Sequence, residues 1–310
     1  MLTRPSDFFK KIDLKDDESE QPWKMLKDCS IAFGECLDAA LKTAFEETIT
    51  PLRFEKGAAI PISPLIAEGE DFLIVLRKEL AMRFVSELLE AYSALTKANV
   101  ALQSAATNSQ PLRSFVFTLS GAVVFARSGF PFSVLSDMSV ALEKSAKNLR
   151  NGLSNPQPCL DVYWLESTAR EDPLVARESS LTYTHDSQHY SLNTRPWTLE
   201  QTEAMWKAAQ ALAVPRSKWH QLLAGLWSGE PLASFHYQRW MQHLSGPQLK
   251  SMVDATNELS RVGFWNQETA PWLEDMIGDL TYHRTPLLEL HQLREMLDTR
   301  ESEDVEVATA

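Results

Sequence analysis

Between residues 60 and 150 the spacing of apolar positions changes in a way that orders secondary structure. Ile60-Pro61-Ile62-Ser63-Pro64-Leu65-Ile66 is a short apolar run, Ala67-Glu68-Gly69-Glu70-Asp71 is an acidic turn, and Phe72-Leu73-Ile74-Val75-Leu76 is a second apolar run. Two such runs around a turn predict a strand pair. Leu80, Phe84, Leu88, Tyr92 and Leu95 then recur at helical spacing, which predicts a helix from Glu79 to about Ser104. Ser114 to Ala126 is β-rich, and Gly121 within it marks a bulge or a close approach of backbone. Gly129-Phe130-Pro131-Phe132 turns the chain into a helix from Ser133 to Arg150. That helix carries Leu135, Met138, Leu142, Ala146 and Leu149 on one face, with Gly152 at its end.

Asn151 to Pro158 is a Gly/Ser/Asn/Pro cluster and reads as a loop, and Cys159 to Glu166 reads as one more strand. Ser167 to Thr194 is polar, with a short hairpin expected around Leu181–Thr184 and His189–Leu192. From Thr198 the pattern is helical. Thr198 and Gln201 form a capping box, and further helices are expected near Arg216–Ser228, Leu232–His243, Pro247–Arg261, Pro271–Leu280 and Pro286–Arg300. Glu301 to Ala310 is acidic and uncapped, and disorder is expected there.

Composition changes this picture in two respects. The chain of 310 residues is long enough for two cores, and its three cysteines (Cys29, Cys36, Cys159) form no CxxC pair. Cys29 and Cys36 lie one helical heptad apart, so both are expected in a core as reduced thiols. No apolar run approaches membrane-spanning length and the first residues lack a signal-peptide core, so a cytoplasmic protein without a membrane partner is expected. The net charge of −12 argues against a broad electrostatic platform for nucleic acid. From Arg195 to Arg261, however, seven basic residues face five acids and interleave with Trp197, Trp206, Trp219, Trp227, Tyr237 and Trp240. Such interleaving makes either a stacking surface for single-stranded nucleic acid or an ordinary aromatic core.

The candidate chemistry centres on the acidic turn. Glu70 and Asp71 offer hard oxygen ligands at one point, which suits Mg²⁺ or Mn²⁺; the bland alternative is a solvated hairpin tip. Serine-hydrolase elbows, phosphate-binding P-loops, HExxH and GxGxxG are all absent from the sequence. His185 and His189 fall in a segment that does not read as helical, and His236 and His243 stand a heptad apart, so neither pair predicts a shared ion.

The segment from about residue 30 to 152 resembles the second palm domain of the Cas10/Cmr2 large subunits of type III CRISPR complexes, relatives of GGDEF cyclases. The likeness lies in Pro64–Asp71 at the position of a GGDD turn, Leu76–Met82 entering the next helix, Leu119–Ala126 at the following strand, and Phe130-Pro131-Phe132 with Ala141–Lys147 at the closing turn and helix. It continues more weakly through Arg195–Glu200, Pro215–His220 and Thr285–Leu288. The resemblance implies metal ligation by Glu70 and Asp71, and nucleotide contacts from Gly69, Ser120 and Lys147. Lys147 is equally an ordinary lysine near a helix C-terminus. The sequence departs from the family pattern at Glu68 and Glu70 in the hairpin. It also has no acidic strand motif ahead of the first helix, where only Asp7–Glu18 stands. Two-metal catalysis requires acids from both places.

These readings predict an α/β chain: residues 1–29 an N-terminal segment, 30–166 a ferredoxin-like palm with an antiparallel sheet of about four strands, 167–197 a polar connection, 198–300 a helical domain, and 301–310 a tail. The expected function is a non-catalytic palm protein in an antiviral defence assembly, with protein partners and with RNA or nucleotide as further candidates. The alternatives are a cyclic-oligonucleotide synthase whose acidic strand comes from a partner or second copy, and a plain protein-interaction module.

Overall fold

The computed structural model describes residues 21–52, 60–68, 71–108, 117–165, 171–277 and 280–297. It is a mixed α/β chain that divides between Glu166 and Ser167 into two compact units.

In the first unit, α1 (Gln21–Thr48) precedes a hairpin of β1 (Ile62–Glu68) and β2 (Asp71–Leu76), followed by α2 (Lys78–Ala98) and α3 (Val100–Asn108). Then come β3 (Ser120–Phe125), α4 (Phe132–Gly152) and β4 (Cys159–Trp164). Helix α1 forms because Cys29, Ala32, Phe33, Cys36, Leu37, Ala40 and Ala44 recur every three or four residues, and all are buried against Phe84, Leu88 and Tyr92 of α2. The expected placement of both cysteines in the core is what the fold contains.

The predicted helix from Glu79 to Ser104 is broken at Asn99, which leaves helical geometry (φ −73°, ψ 119°). Its Oδ1 accepts from the Leu102 backbone N–H at 3.1 Å and starts α3, and its Nδ2 reaches Cys36 Sγ at 3.8 Å. Asparagine here offers the backbone a cap in place of a continuous helix.

The sheet differs from the expected single antiparallel sheet of four strands. Among the described residues, β1 and β2 form a two-stranded antiparallel sheet of their own, and β3 and β4 pair in parallel, Ser120 opposite Cys159 through Phe125 opposite Trp164. The parallel pair follows from the connection: α4 returns the chain to the start of β3, as a crossover helix does. Gly121 makes the close approach its sequence suggested. A Cβ there would lie 3.1 Å from Leu160 and 3.3 Å from Val85 of α2.

Three contacts fix the direction of the elements. The Arg77 N–H donates to the Pro61 carbonyl, closing the hairpin where β2 runs into α2. At the far end of α2, Thr96 Oγ1 donates to the Phe117 carbonyl at 3.0 Å, just ahead of β3. Buried Arg150, late in α4, donates from Nη1 to the Thr118 carbonyl at 2.8 Å. Strands β2 and β3 therefore run the same way, and the C-terminal end of α4 returns to the beginning of β3.

The second unit opens with α5 (Pro173–Leu181), whose N-cap Asp172 accepts from the Leu174 and Val175 N–H groups. The hairpin expected nearby is present as β5 (Thr182–His185) and β6 (Gln188–Ser191). Short β7 (Trp197–Thr198) leads into α6 (Leu199–Ala211), started by the predicted Thr198/Gln201 capping box. Helices α7 (Arg216–Leu226), α8 (Leu232–Gln242) and α9 (Gly246–Arg261) follow, then β8 (Leu273–Ile277), β9 (Leu280–Arg284) and α10 (Leu287–Leu297).

The helix expected over Pro271–Leu280 is instead the start of an antiparallel hairpin. Ile277 faces Leu280 across two intervening residues, and β9 then pairs in parallel with β6 to give a sheet ordered β5-β6-β9-β8. Tertiary pairing outweighs local propensity here, because Tyr190 of β6 stacks on His283 of β9 and packs edge-on against Trp272.

Candidate functional site

The residues singled out from sequence distribute unevenly. Gly69 and Glu70 lie outside the described residues, as does the expected acidic tail 301–310. The backbone of Asp71 opens β2, directly across the hairpin from Glu68. Ser120 opens β3, half-buried, with its hydroxyl enclosed and without a hydrogen-bond partner. Lys147 is half-buried on α4, less than two turns from its end, and is engaged with other groups of the fold. The directions of β2, β3 and α4 thus bring Asp71, Ser120 and Lys147 to one end of the first unit.

The opposite end and middle of this unit hold a cavity that the sequence did not announce. About 510 Å³ opens between β2 and β3. Phe72 to Leu76 form one side and Ala122 to Phe125 the other, with Phe84, Val85 and Leu88 of α2 and Leu135 of α4 also lining it. Every β3 residue is only half-buried although the strand is apolar, and Val75 of β2 is 48% exposed. Among the described residues, neither the β2 edge away from β1 nor the β3 edge away from β4 is paired. The charged side chains among the described lining residues are Lys78 and Arg127, each just past the end of its strand and exposed.

The second unit holds a cluster of different character. His220 of α7 and His291 and Glu295 of α10 bring three ligand-type atoms within 4.8 Å of one another. His291 Nε2 lies 3.5 Å from Glu295 Oε1, and its ring stacks on Trp219 at 5.7 Å. Burial holds the His291 imidazole below its ordinary pKa. Glu295 pulls it back up, while His220 and Arg216 reinforce the depression. Arg216 Nε sits 2.6 Å from Glu295 and 3.3 Å from His220 Nε2, so a guanidinium already supplies the positive charge a metal would bring. The arrangement is chemically an ion-pair cluster. The one-turn spacing of His291 and Glu295 was its only trace in the sequence.

Most of the aromatic residues in the aromatic-basic stretch are core, with Trp206 half-buried. Trp197, Trp219, Trp240 and Tyr237 are buried, and half-exposed Trp227 packs against Tyr183 at 5.2 Å. Arg195 is likewise internal: its Nε donates to Glu289 Oε1 at 2.8 Å, and the same oxygen accepts from the Thr194 N–H at 2.8 Å. A buried carboxylate with this many donors holds the loop after β6 against α10.

The chain matches no protein-family model and no curated protein. Among the described residues, no helix is long and apolar enough to cross a membrane.

Proposed function

We propose that the chain is a degenerate Cas10-like palm protein of a prokaryotic antiviral defence system, serving as a non-catalytic scaffold or sensing subunit of a nucleoprotein assembly. The observation that carries this reading is the acid-tipped β1–β2 hairpin followed by α2, β3 and α4, which brings Asp71, Ser120 and Lys147 to a common end. In a ferredoxin-like sheet the strand preceding the first helix lies between the second hairpin strand and the strand that follows the next helix. On the palm reading, that strand would lie in the open space between β2 and β3. With no acidic strand motif in the sequence ahead of the first helix, such a palm has acids from the hairpin alone, too few to clamp two ions. Any retained Mg²⁺ or Mn²⁺ would be held by Glu70 and Asp71, with nucleotide phosphates directed to Gly69, Ser120 and Lys147.

The open strand position also favours a second reading, a cyclic-oligonucleotide synthase completed by a partner's acidic strand. Labelled ATP incubated with the protein and Mg²⁺ or Mn²⁺ separates the two. The scaffold reading expects no cyclic or linear oligonucleotide product. Product that disappears in Asp71→Ala would establish the synthase and remove the scaffold reading.

A further inference from the structure

The gap between β2 and β3 is bounded by two kinds of surface that call for different things. Its walls are apolar side chains, which any greasy ligand would cover. Its two rims are strand edges that are unpaired among the described residues, each a row of backbone N–H and C=O groups that an apolar small molecule leaves unsatisfied. Adjacent strands lie about 4.8 Å apart, so a strand inserted between two open edges can bond to both. An extended peptide is the ligand class that meets both demands.

Charge narrows the choice. Lys78 and Arg127 follow the ends of β2 and β3, which run the same way, so both ammonium and guanidinium stand at one mouth of the gap. They favour a carboxylate there, from a side chain or a chain terminus. The occupant must also be free on both its edges. Every strand described in this chain is already bonded to a neighbour, so none of the described strands of a second copy meets that demand.

We propose that the β2–β3 gap is a strand-acceptor site for an extended segment of a partner protein, apolar at alternate positions and carrying a carboxylate at the Lys78/Arg127 mouth. This stands on the open edges and the basic mouth, independently of any palm ancestry or catalysis.

The test is fluorescence anisotropy of the full chain with a labelled peptide of alternating valine and threonine, made with glutamate at its N-terminus, with a free C-terminal carboxylate, or with neither. Saturable binding is expected for one of the two acidic forms. Lys78→Glu with Arg127→Glu should weaken it about tenfold at low salt. N-methylation of alternate peptide amides, which removes donors and keeps the side chains, should weaken it by a similar factor. Circular dichroism of the double variant separates lost binding from lost folding. Equal binding of the N-methylated peptide would mean apolar adsorption and overturn the proposal, as would no binding up to about 1 mM. Binding that emerges only after deletion of residues 1–19 would assign the gap to this chain's own N-terminal stretch, and the partner assignment would fall.

Discussion

Single residues carry most of the chemical contrast in this protein. Burial pushes the Cys29 thiol up to about 11 and the Cys159 thiol up to about 12, with Asp28 adding to the first and Arg150 opposing the second. Cys36 is also raised, by burial above all. The thiolate is the reactive form, so the native protein should resist alkylation by iodoacetamide at pH 8, and all three thiols should react once it is unfolded in urea. Rapid labelling of the folded protein, followed by mass spectrometry, would contradict the packing of α1 and β4. His291 gives a pH dependence of definite sign. Its folded-state pKa lies below the unfolded value of about 6.5, so the unfolded chain takes up a proton first as pH falls. Stability from this group is therefore present above pH 6.5 and declines on acidification, by at most about 1.4 kcal/mol per pH unit. His291→Phe keeps a ring against Trp219 and should flatten the slope of urea stability between pH 7 and 5; an unchanged slope would show that other groups set it.

At the level of elements, α4 is held by a narrow apolar stripe: Leu142 and Ala146 are fully buried while Val140 is 62% exposed. Leu142→Ala should lower the urea unfolding free energy by about 2–5 kcal/mol, and Val140→Ser by less than about 0.5 kcal/mol. Equal losses would place the wrong face of α4 against β3 and β4. That stripe was legible in the sequence because Met138, Leu142 and Ala146 follow one helical period, and so were the acidic hairpin and the Thr198 capping box. The sheet's connectivity was not. Periodicity marks β3 as a strand without saying which neighbour it pairs with, and the return path of α4 makes that pairing parallel. The β8 segment carries a helical pattern as well, because a proline followed by mixed apolar and acidic residues satisfies both periods until β9 supplies the partner. The candidate site was legible only in part: the acidic turn singles out Asp71, but which strand edges stay unpaired among the described residues depends on pairings that periodicity does not specify. The Arg216–Glu295–His220–His291 cluster joins α7 to α10 and has no local signal beyond the last pair.

At the scale of the molecule, β2 and β3 of the first unit each keep one edge unpaired among the described residues, and the cavity opens between the two strands. Apolar strands with unpaired edges are a liability that proteins usually cover, and the proposed strand-acceptor role rests on that. Successive amides along a strand point to alternate sides, so each strand has one set of N–H groups bonded to its neighbour and one set facing the gap. Amide hydrogen exchange by NMR on the unliganded protein reads the two sets separately. An alternating pattern is expected over residues 72–76 and 120–125, slow toward β1 and β4 and fast toward the gap. Uniform protection through both strands would contradict it, since a strand would then already fill the space between them.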